Sequence, residues 1–283
     1  LMRILVCTKL DLHGAHFANR LLPALAGHEV LGLWLADKER PAEGHIESLT
    51  ELRFIEHQLP VELLFPLIDA LPVQLAEGAR NATFAGLGRR HRIPVETITA
   101  FDAPTRARCA ALAPDLVIVA RFSHLFDRAS IGVPRHGILN VHPGRLPELA
   151  GLHAPLRAVI GGAGAFGCSI HWITPGIDDG PLLGVIDQPI DLAGNLLDQT
   201  ASLYPLAIPT VLAVIEACAA GQRPRGTPQD LRLRRYASMP GEDHFSALRQ
   251  MGMGLWQPDA LISRLKGFLP PGIALPPLPG APR

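Results

Sequence analysis

A succession of short apolar segments alternating with stretches of helical periodicity limits this chain to very few folds. Arg3–Cys7, carrying Ile4 and Val6, reads as a first strand buried on both faces. In His16–Leu25, Phe17, Leu21, Leu22 and Leu25 recur at helical spacing, and Gly27 suits a stop. Glu29–Leu35 (EVLGLWL) is strand-like again. Strand, helix and strand within so short a span begin a βαβ unit, and hence a parallel sheet.

The same logic continues along the chain. A helical pattern around Val73–Arg90 leads to a short strand at Pro94–Thr99, then a helix at Ala103–Leu112 and a buried strand at Leu116–Ala120 (LVIVA). Gly137–Val141 and Cys168–Ile173 are the next two strands, and a long helix is expected over Leu196–Ala220. The implied fold is α/β, a doubly wound, Rossmann-like and mostly parallel sheet, whose ligands gather at the strands' carboxyl ends. We expect a main domain over residues 1–220 and a small C-terminal extension over 221–283. The extension opens with a linker, GQRPRGTPQ, and closes with an extended, Pro-rich tail. Residues 37–70, broken by Pro60 and Pro66, read as an insertion packed over the sheet edge or near the site.

Composition excludes several function classes. With 48% hydrophobic and 18% charged residues, the chain has a core-forming composition. Its 26 Lys+Arg balance 26 Asp+Glu, so no electrostatic footprint for nucleic acid is present. Cys7, Cys109, Cys168 and Cys218 are scattered, which suits buried small hydrophobes in a reducing compartment and neither disulfides nor a metal site. No apolar run approaches the ~20 residues of a spanning helix, and the N-terminus turns polar too soon for a signal peptide. A cytoplasmic location is therefore expected. Gly161, Gly162 and Gly164 resemble a dinucleotide fingerprint by composition only, because they follow a helix and precede a strand.

The chemistry concentrates in residues 136–184. Asn140 and His142 stand two apart in an extended run, so their side chains leave the same face of a strand. Pro143 ends that strand, placing the pair at a carboxyl end. A carboxamide and a protonated imidazole side by side can each donate to a developing oxyanion. Asp178 lies in a turn rich in Gly, Pro and Asp (TPGIDDGP). A carboxylate brought near His142 would favour its charged form and could relay a proton through water. Taken singly, these residues could be a turn amide, a core histidine and a solvated acid.

Together they resemble the folate-dependent formyltransferases. That family shares a strand ending Asn-x-His, a Pro- and Gly-containing loop, and a second strand leading to Asp-x-Gly. Asn140-Val141-His142, Leu146–His153, Gly167–His171 and Asp178-Asp179-Gly180-Pro181 match these elements in turn. The resemblance implies that Asn140, His142 and Asp178 are catalytic, the acid being Asp178 because it precedes the final Gly by two positions. It implies 10-formyltetrahydrofolate as formyl donor, held by Phe122, Ser123, His124, Leu125 and Phe126 on one side and by Thr174, Gly176 and Ile177 on the other. Thr8, Arg145, Gly151 and His153 are then the candidates for contact with the acceptor.

The departures bear on that acceptor. The loop Thr8–Gly14 holds an acid and little glycine, a poor phosphate nest, which disfavours glycinamide ribonucleotide. The family's usual Ser-Leu after His-Pro is Gly144-Arg145 here. The region after Gly221 is too short and Pro-rich for the β-barrel of the tRNA enzymes, and zero net charge gives tRNA no help. The expected partner is a small-molecule amine, with no nucleic acid, no membrane and no metal; a homodimer stays open. Hydrolysis of the donor is the nearest alternative, and a non-catalytic folate or metabolite binder the next. A dehydrogenase is disfavoured by the missing glycine fingerprint at Thr8–Gly14.

Overall fold

The computed structural model describes residues 1–38 and 44–273. Strand β1 (Arg3–Lys9) and strand β2 (Glu29–Ala36) flank helix α1 (Leu12–Ala24), which begins four residues earlier than its periodicity predicts. Its start is set by Asp11, whose carboxylate accepts from the Gly14 N–H at 2.7 Å. The expected insertion is helical: α2 (Glu47–Arg53) runs into a π-wound turn, Phe54–Leu64, and then α3 (Phe65–Asp69). Pro66 falls in the first turn of α3, where its missing N–H costs nothing. Pro60 sits within the π-wound turn.

The helix expected over 73–90 resolves into two shorter ones, α4 (Val73–Ala76) and α5 (Phe84–His91). Strand β3 (Val95–Ile98), helix α6 (Ala103–Leu112), strand β4 (Leu116–Ala120) and helix α7 (Arg128–Ile131) follow. Strand β5 (Ile138–His142), the short β6 (Ala150–Gly151), helix α8 (Ala154–Ile160) and strand β7 (Ala165–Trp172) form the chemically rich block. Strand β8 (Leu182–Pro189), which periodicity did not announce, precedes the long helix α9 (Leu196–Ala219). The last elements are β9 (Tyr236–Ala237), α10 (Glu242–Gln250) and α11 (Pro258–Lys266).

The seven-stranded sheet has the order β3-β2-β1-β4-β5-β7-β8. All pairs from β3 to β5 are parallel, while β5–β7 and β7–β8 are antiparallel. The sheet is thus α/β and mostly parallel. Apolar cover on both faces explains the unbroken apolar strands. Ile4 and Val6 enter one cluster, and their neighbours Leu5 and Cys7 the other.

Helix α9 is long and apolar enough to cross a membrane by length and composition, a property the sequence reading missed. Half of its apolar window is nevertheless buried, and Leu203, Ala207 and Val211 belong to the main core. The C-terminal segment joins the same core through Phe245, Leu248, Leu261, Leu265 and Phe268. Glu242 of α10 accepts from the Ser48 N–H and hydroxyl at 3.0 and 2.6 Å, which fixes α2 in place. Of the expected Pro-rich tail, residues 269–273 are described, with Leu269 in the main core, and the rest lies outside the described residues.

Candidate active site

A cleft of about 510 Å³ opens at the carboxyl ends of β1, β4 and β5, where an open α/β sheet places its ligands. Asn140, His142 and Asp178 all line it. The antiparallel register sets Asn140 directly opposite His171, and His142 opposite Ser169. Asn140 Nδ2 lies 3.0 Å from His171 Nε2, and His171 Nδ1 lies 2.9 Å from the Trp172 carbonyl. The pairing makes His171 a donor through Nδ1 and an acceptor for the Asn140 amide, which is the neutral ring. Burial is the main reason its pKa is lowered; Asp178 opposes that shift and His142 adds to it.

His142 Nε2 is 2.8 Å from the Leu149 carbonyl, so its Nε2–H donates there. Its other nitrogen, Nδ1, faces Asp178 Oδ1 at 3.7 Å, and His171 Nε2 faces the same oxygen at 3.8 Å. One carboxylate oxygen is thus shared between two imidazoles, beyond hydrogen-bonding distance from either. The second oxygen, Oδ2, accepts from the Gly151 N–H at 2.8 Å. Ser169 Oγ donates to the Gly144 carbonyl at 2.7 Å and accepts from the Leu146 N–H at 3.0 Å, pinning the loop after His142. Gly144 explains one departure noted in the sequence. A Cβ there would lie 2.6 Å from His142 Nε2 and 2.7 Å from the Leu149 carbonyl, so the serine that the resemblance would lead one to expect does not fit.

The segment after β4 also reaches the cleft. Phe122, Ser123, His124 and Leu125 line it, and Ser123 Oγ is buried with no partner among the described residues. Leu125 is 71% exposed, an apolar surface open to a ligand, whereas His124 Nε2 bonds the Ile98 carbonyl at 2.7 Å. Phe126 is instead a core residue, with ring centroids 4.6 Å from Phe101 and 5.7 Å from Phe122. On the facing loop Ile177 lines the cleft. Thr174 does not; its hydroxyl bonds Asp179, and Gly176 packs against the same carboxylate.

The four acceptor candidates separate as well. Gly151 and His153 line the cleft. Thr8 is fully buried at the end of β1, and strand alternation turns its neighbour Lys9 to the cleft instead. Arg145 is half exposed and ion-paired with Asp187 on β8, so it points away from the cleft. The acid in the β1 loop also has a structural task. Asp11, fully buried, caps α1 and is bridged by Arg121 Nε and NH2 at 3.0 and 2.6 Å.

Arg121, with φ 58°, also donates to Glu56 at 3.0 Å and lies over the Tyr204 ring. Burial raises the Glu56 pKa, against the pull of Arg121. His13 Nδ1 is 3.5 Å from the same carboxylate, and burial pushes its pKa well down. Glu56, His57, Leu49, Leu52 and Arg53 bring the former insertion onto the cleft wall. Sequence reasoning missed these residues and His171. Only His171 carried a signal, as a polar residue two after Ser169 in an otherwise apolar strand.

Residues 72–203 match the family model described as Formyl transferase. That span, a little under half of the chain, is similar to the formyl transferase family. That span holds Asn140, His142, His171, Asp178 and the Phe122–Leu125 wall of the cleft, but neither Lys9 nor Glu56. The chain is 35% identical over 161 residues to a methionyl-tRNA formyltransferase of Pseudomonas fluorescens (strain SBW25), covering 56% of this chain and 50% of that protein. A methionyl-tRNA formyltransferase of Arthrobacter sp. (strain FB24) is 34% identical over 134 residues, 46% of this chain and 44% of that protein. The chain spans about half the length of the curated relatives it matches.

Among solved structures, glycinamide ribonucleotide transformylase 1 from Symbiobacterium toebii superposes with a TM-score of 0.54 at 18% identity, covering 81% of this chain and 94% of that one. A 4-N formyltransferase from Francisella tularensis does so with a TM-score of 0.56 at 15% identity, covering 84% and 76%. At these identities the likeness shows the fold alone.

Proposed function

We propose that this chain moves a formyl group from 10-formyltetrahydrofolate to the amine of a small-molecule acceptor. The observation that carries this reading is Asn140, His142 and Asp178 converging on the cleft inside the matched span, with the buried His171 bonded to Asn140. The donor fits the residues present: Leu125, Leu152 and Ile177 offer apolar surface to a flat ring, and Ser123 Oγ, on the same cleft, has no partner among the described residues. When bound, the donor supplies the carbonyl that the amine attacks.

Asn140 has a second amide hydrogen beyond the one given to His171, and it meets the negative charge that develops on the formyl oxygen. His142 donates the second hydrogen bond after exchanging its Leu149 carbonyl for that oxygen, a rearrangement common between resting and reacting sites. Asp178 Oδ1, facing both imidazoles, takes the proton leaving the amine and returns one towards the departing nitrogen, directly or through a single water. The small-molecule choice rests on the balanced charge and on Asp11. Its carboxylate already occupies the N-terminus of α1, where a phosphate would otherwise be held.

The test is to incubate the protein with 10-formyltetrahydrofolate and a panel of amines, following tetrahydrofolate release spectroscopically. The panel contains amino acids, amino sugars, glycinamide ribonucleotide and methionyl-tRNA. Release dependent on a small amine is expected. Release without amine would make the protein a hydrolase, release with methionyl-tRNA alone would refute the small acceptor, and no release by the folded protein would refute formyl transfer.

A further inference from the structure

Residues 223–237, which begin within the stretch 221–229 expected to be a linker, cross the end of the sheet as a strap over the Asp178 loop. The strap is anchored at Trp172: its Nε1–H donates to the Pro224 carbonyl at 2.8 Å, and the Arg223 guanidinium lies 4.2 Å over its ring. Thr227 and Leu182 then exchange both backbone hydrogen bonds, at 2.7 and 2.8 Å. Beyond that point Gln229 Nε2 donates to the Asp178 carbonyl at 3.1 Å and to the Gly180 carbonyl at 2.7 Å. Arg234 donates to the Ile177 carbonyl at 2.8 Å. Finally β9 pairs with β6, and Gly151 of β6 gives its N–H to Asp178 Oδ2.

Asp178 is therefore held at both ends, its main chain by Gln229 of the strap and its carboxylate by Gly151 of β6, the strand the strap pairs with. The residue needs this support, because its φ of 52° is a left-handed conformation that a residue with a Cβ keeps only when its surroundings over-determine it. We propose that Gln229 is a positioning residue, which holds the Asp178 carboxylate between His142 and His171 for formyl transfer. The inference rests on the catalytic reading of Asp178 given above. Gln229 is suited to the task because one planar amide offers two hydrogens, one for each carbonyl. Its own Oε1 is buried without a partner among the described residues, a cost that packing alone would not favour in place of an apolar side chain of the same length.

Gln229→Glu keeps the shape and removes the donor. Measured with 10-formyltetrahydrofolate and the most productive amine of the panel, its kcat should fall by about 10- to 100-fold, as a small misplacement of a reacting group does. KM for the donor should stay within about two-fold, since no binding contact is removed. In an Asp178→Asn background, under single turnover with excess protein, Gln229→Glu should cost nothing further, because both changes act on one carboxylate. Wild-type kcat in Gln229→Glu, or an equal loss with and without Asp178, overturns the proposal. Should Gln229→Glu not fold, Gln229→Met carries the same comparison.

A readout independent of turnover is the titration of His171 followed by NMR of its labelled ring. Asp178 supports the charged form of that imidazole against burial, so Asp178→Asn and Gln229→Met should both move its midpoint downward. A midpoint unmoved by Gln229→Met overturns the positioning role. Normal turnover by Asp178→Asn would instead sink the catalytic reading, and the titration alone would then decide the role of Gln229.

Discussion

The two walls of the cleft use charged groups in opposite ways. On the wall inside the matched span, Asp178 Oδ1 faces His142 and His171 at 3.7 and 3.8 Å and is saturated by neither. On the wall built by β1, α2 and the π-wound turn, Arg121 closes on Asp11 and Glu56 at 2.6 and 3.0 Å, and all three are substantially buried. The first wall keeps valence in reserve for a reactant. The second spends its valence internally, joining three segments far apart in sequence. Chemistry is therefore expected from the first wall and shape from the second.

Two substitutions probe this contrast most strongly. Asp178→Asn should lower kcat by about 10²–10⁴-fold, the range of general acid–base catalysis, while the melting temperature and donor binding stay close to wild type. Retained turnover would move the acid elsewhere on the cleft. Arg121→Leu should act on folding instead. It leaves Asp11 fully buried without its counter-charge, a change worth about 3–5 kcal/mol in denaturant unfolding. A stable Arg121→Leu protein with collapsed kcat would reverse the assignment of the two walls.

A third effect is pH-dependent. Burial, then Arg121, lowers the His13 pKa well below 6.5, so the folded state holds this ring neutral. Below pH 6.5 the unfolded chain binds the proton and the folded chain does not, so stability falls as pH falls from that point. The slope is up to about 1.4 kcal/mol per pH unit for such a group. Urea unfolding at pH 7 and pH 5 should show this loss, and His13→Gln should flatten the curve. An unchanged slope would mean that the ring has a proton partner in the fold.

How much of each wall could be read in the sequence follows from how local its determinants are. Asn140 and His142 were legible because strand alternation alone puts residues two apart on one face. His171 was not, because its place depends on the antiparallel register that sets it against Asn140. Arg145 was misread towards the acceptor because its partner Asp187 lies on β8, a strand with an ambiguous pattern. Thr8 failed by one residue of alternation, Lys9 taking the cleft side. The insertion was the least legible part: Pro60 and Pro66 look like breakers, yet one lies in a π-wound turn and the other in a first helical turn. The β-α order of the sheet, fixed by apolar runs covered on both faces, was the most legible.

The smallest expected effect is the most discriminating for the second wall. Glu56 takes up its proton at higher pH in the folded state than in the unfolded chain, chiefly because burial disfavours its charge. From its folded pKa down to the unfolded value near 4.5, the folded state binds more protons than the unfolded one, so stability gains as pH falls through that window. Above the window the carboxylate is ionised in both states, and its contribution to stability no longer varies with pH. In Glu56→Gln the new carboxamide would accept from Arg121 through its carbonyl and offer its N–H to His13 Nδ1, which lies 3.5 Å from the present carboxylate. This substitution should then change unfolding free energy at pH 7 by no more than about 1 kcal/mol and leave kcat near wild type. If instead kcat falls as far as in Asp178→Asn, the carboxylate on this wall handles a proton of the reaction, and the division between a chemical wall and a shaping wall is wrong.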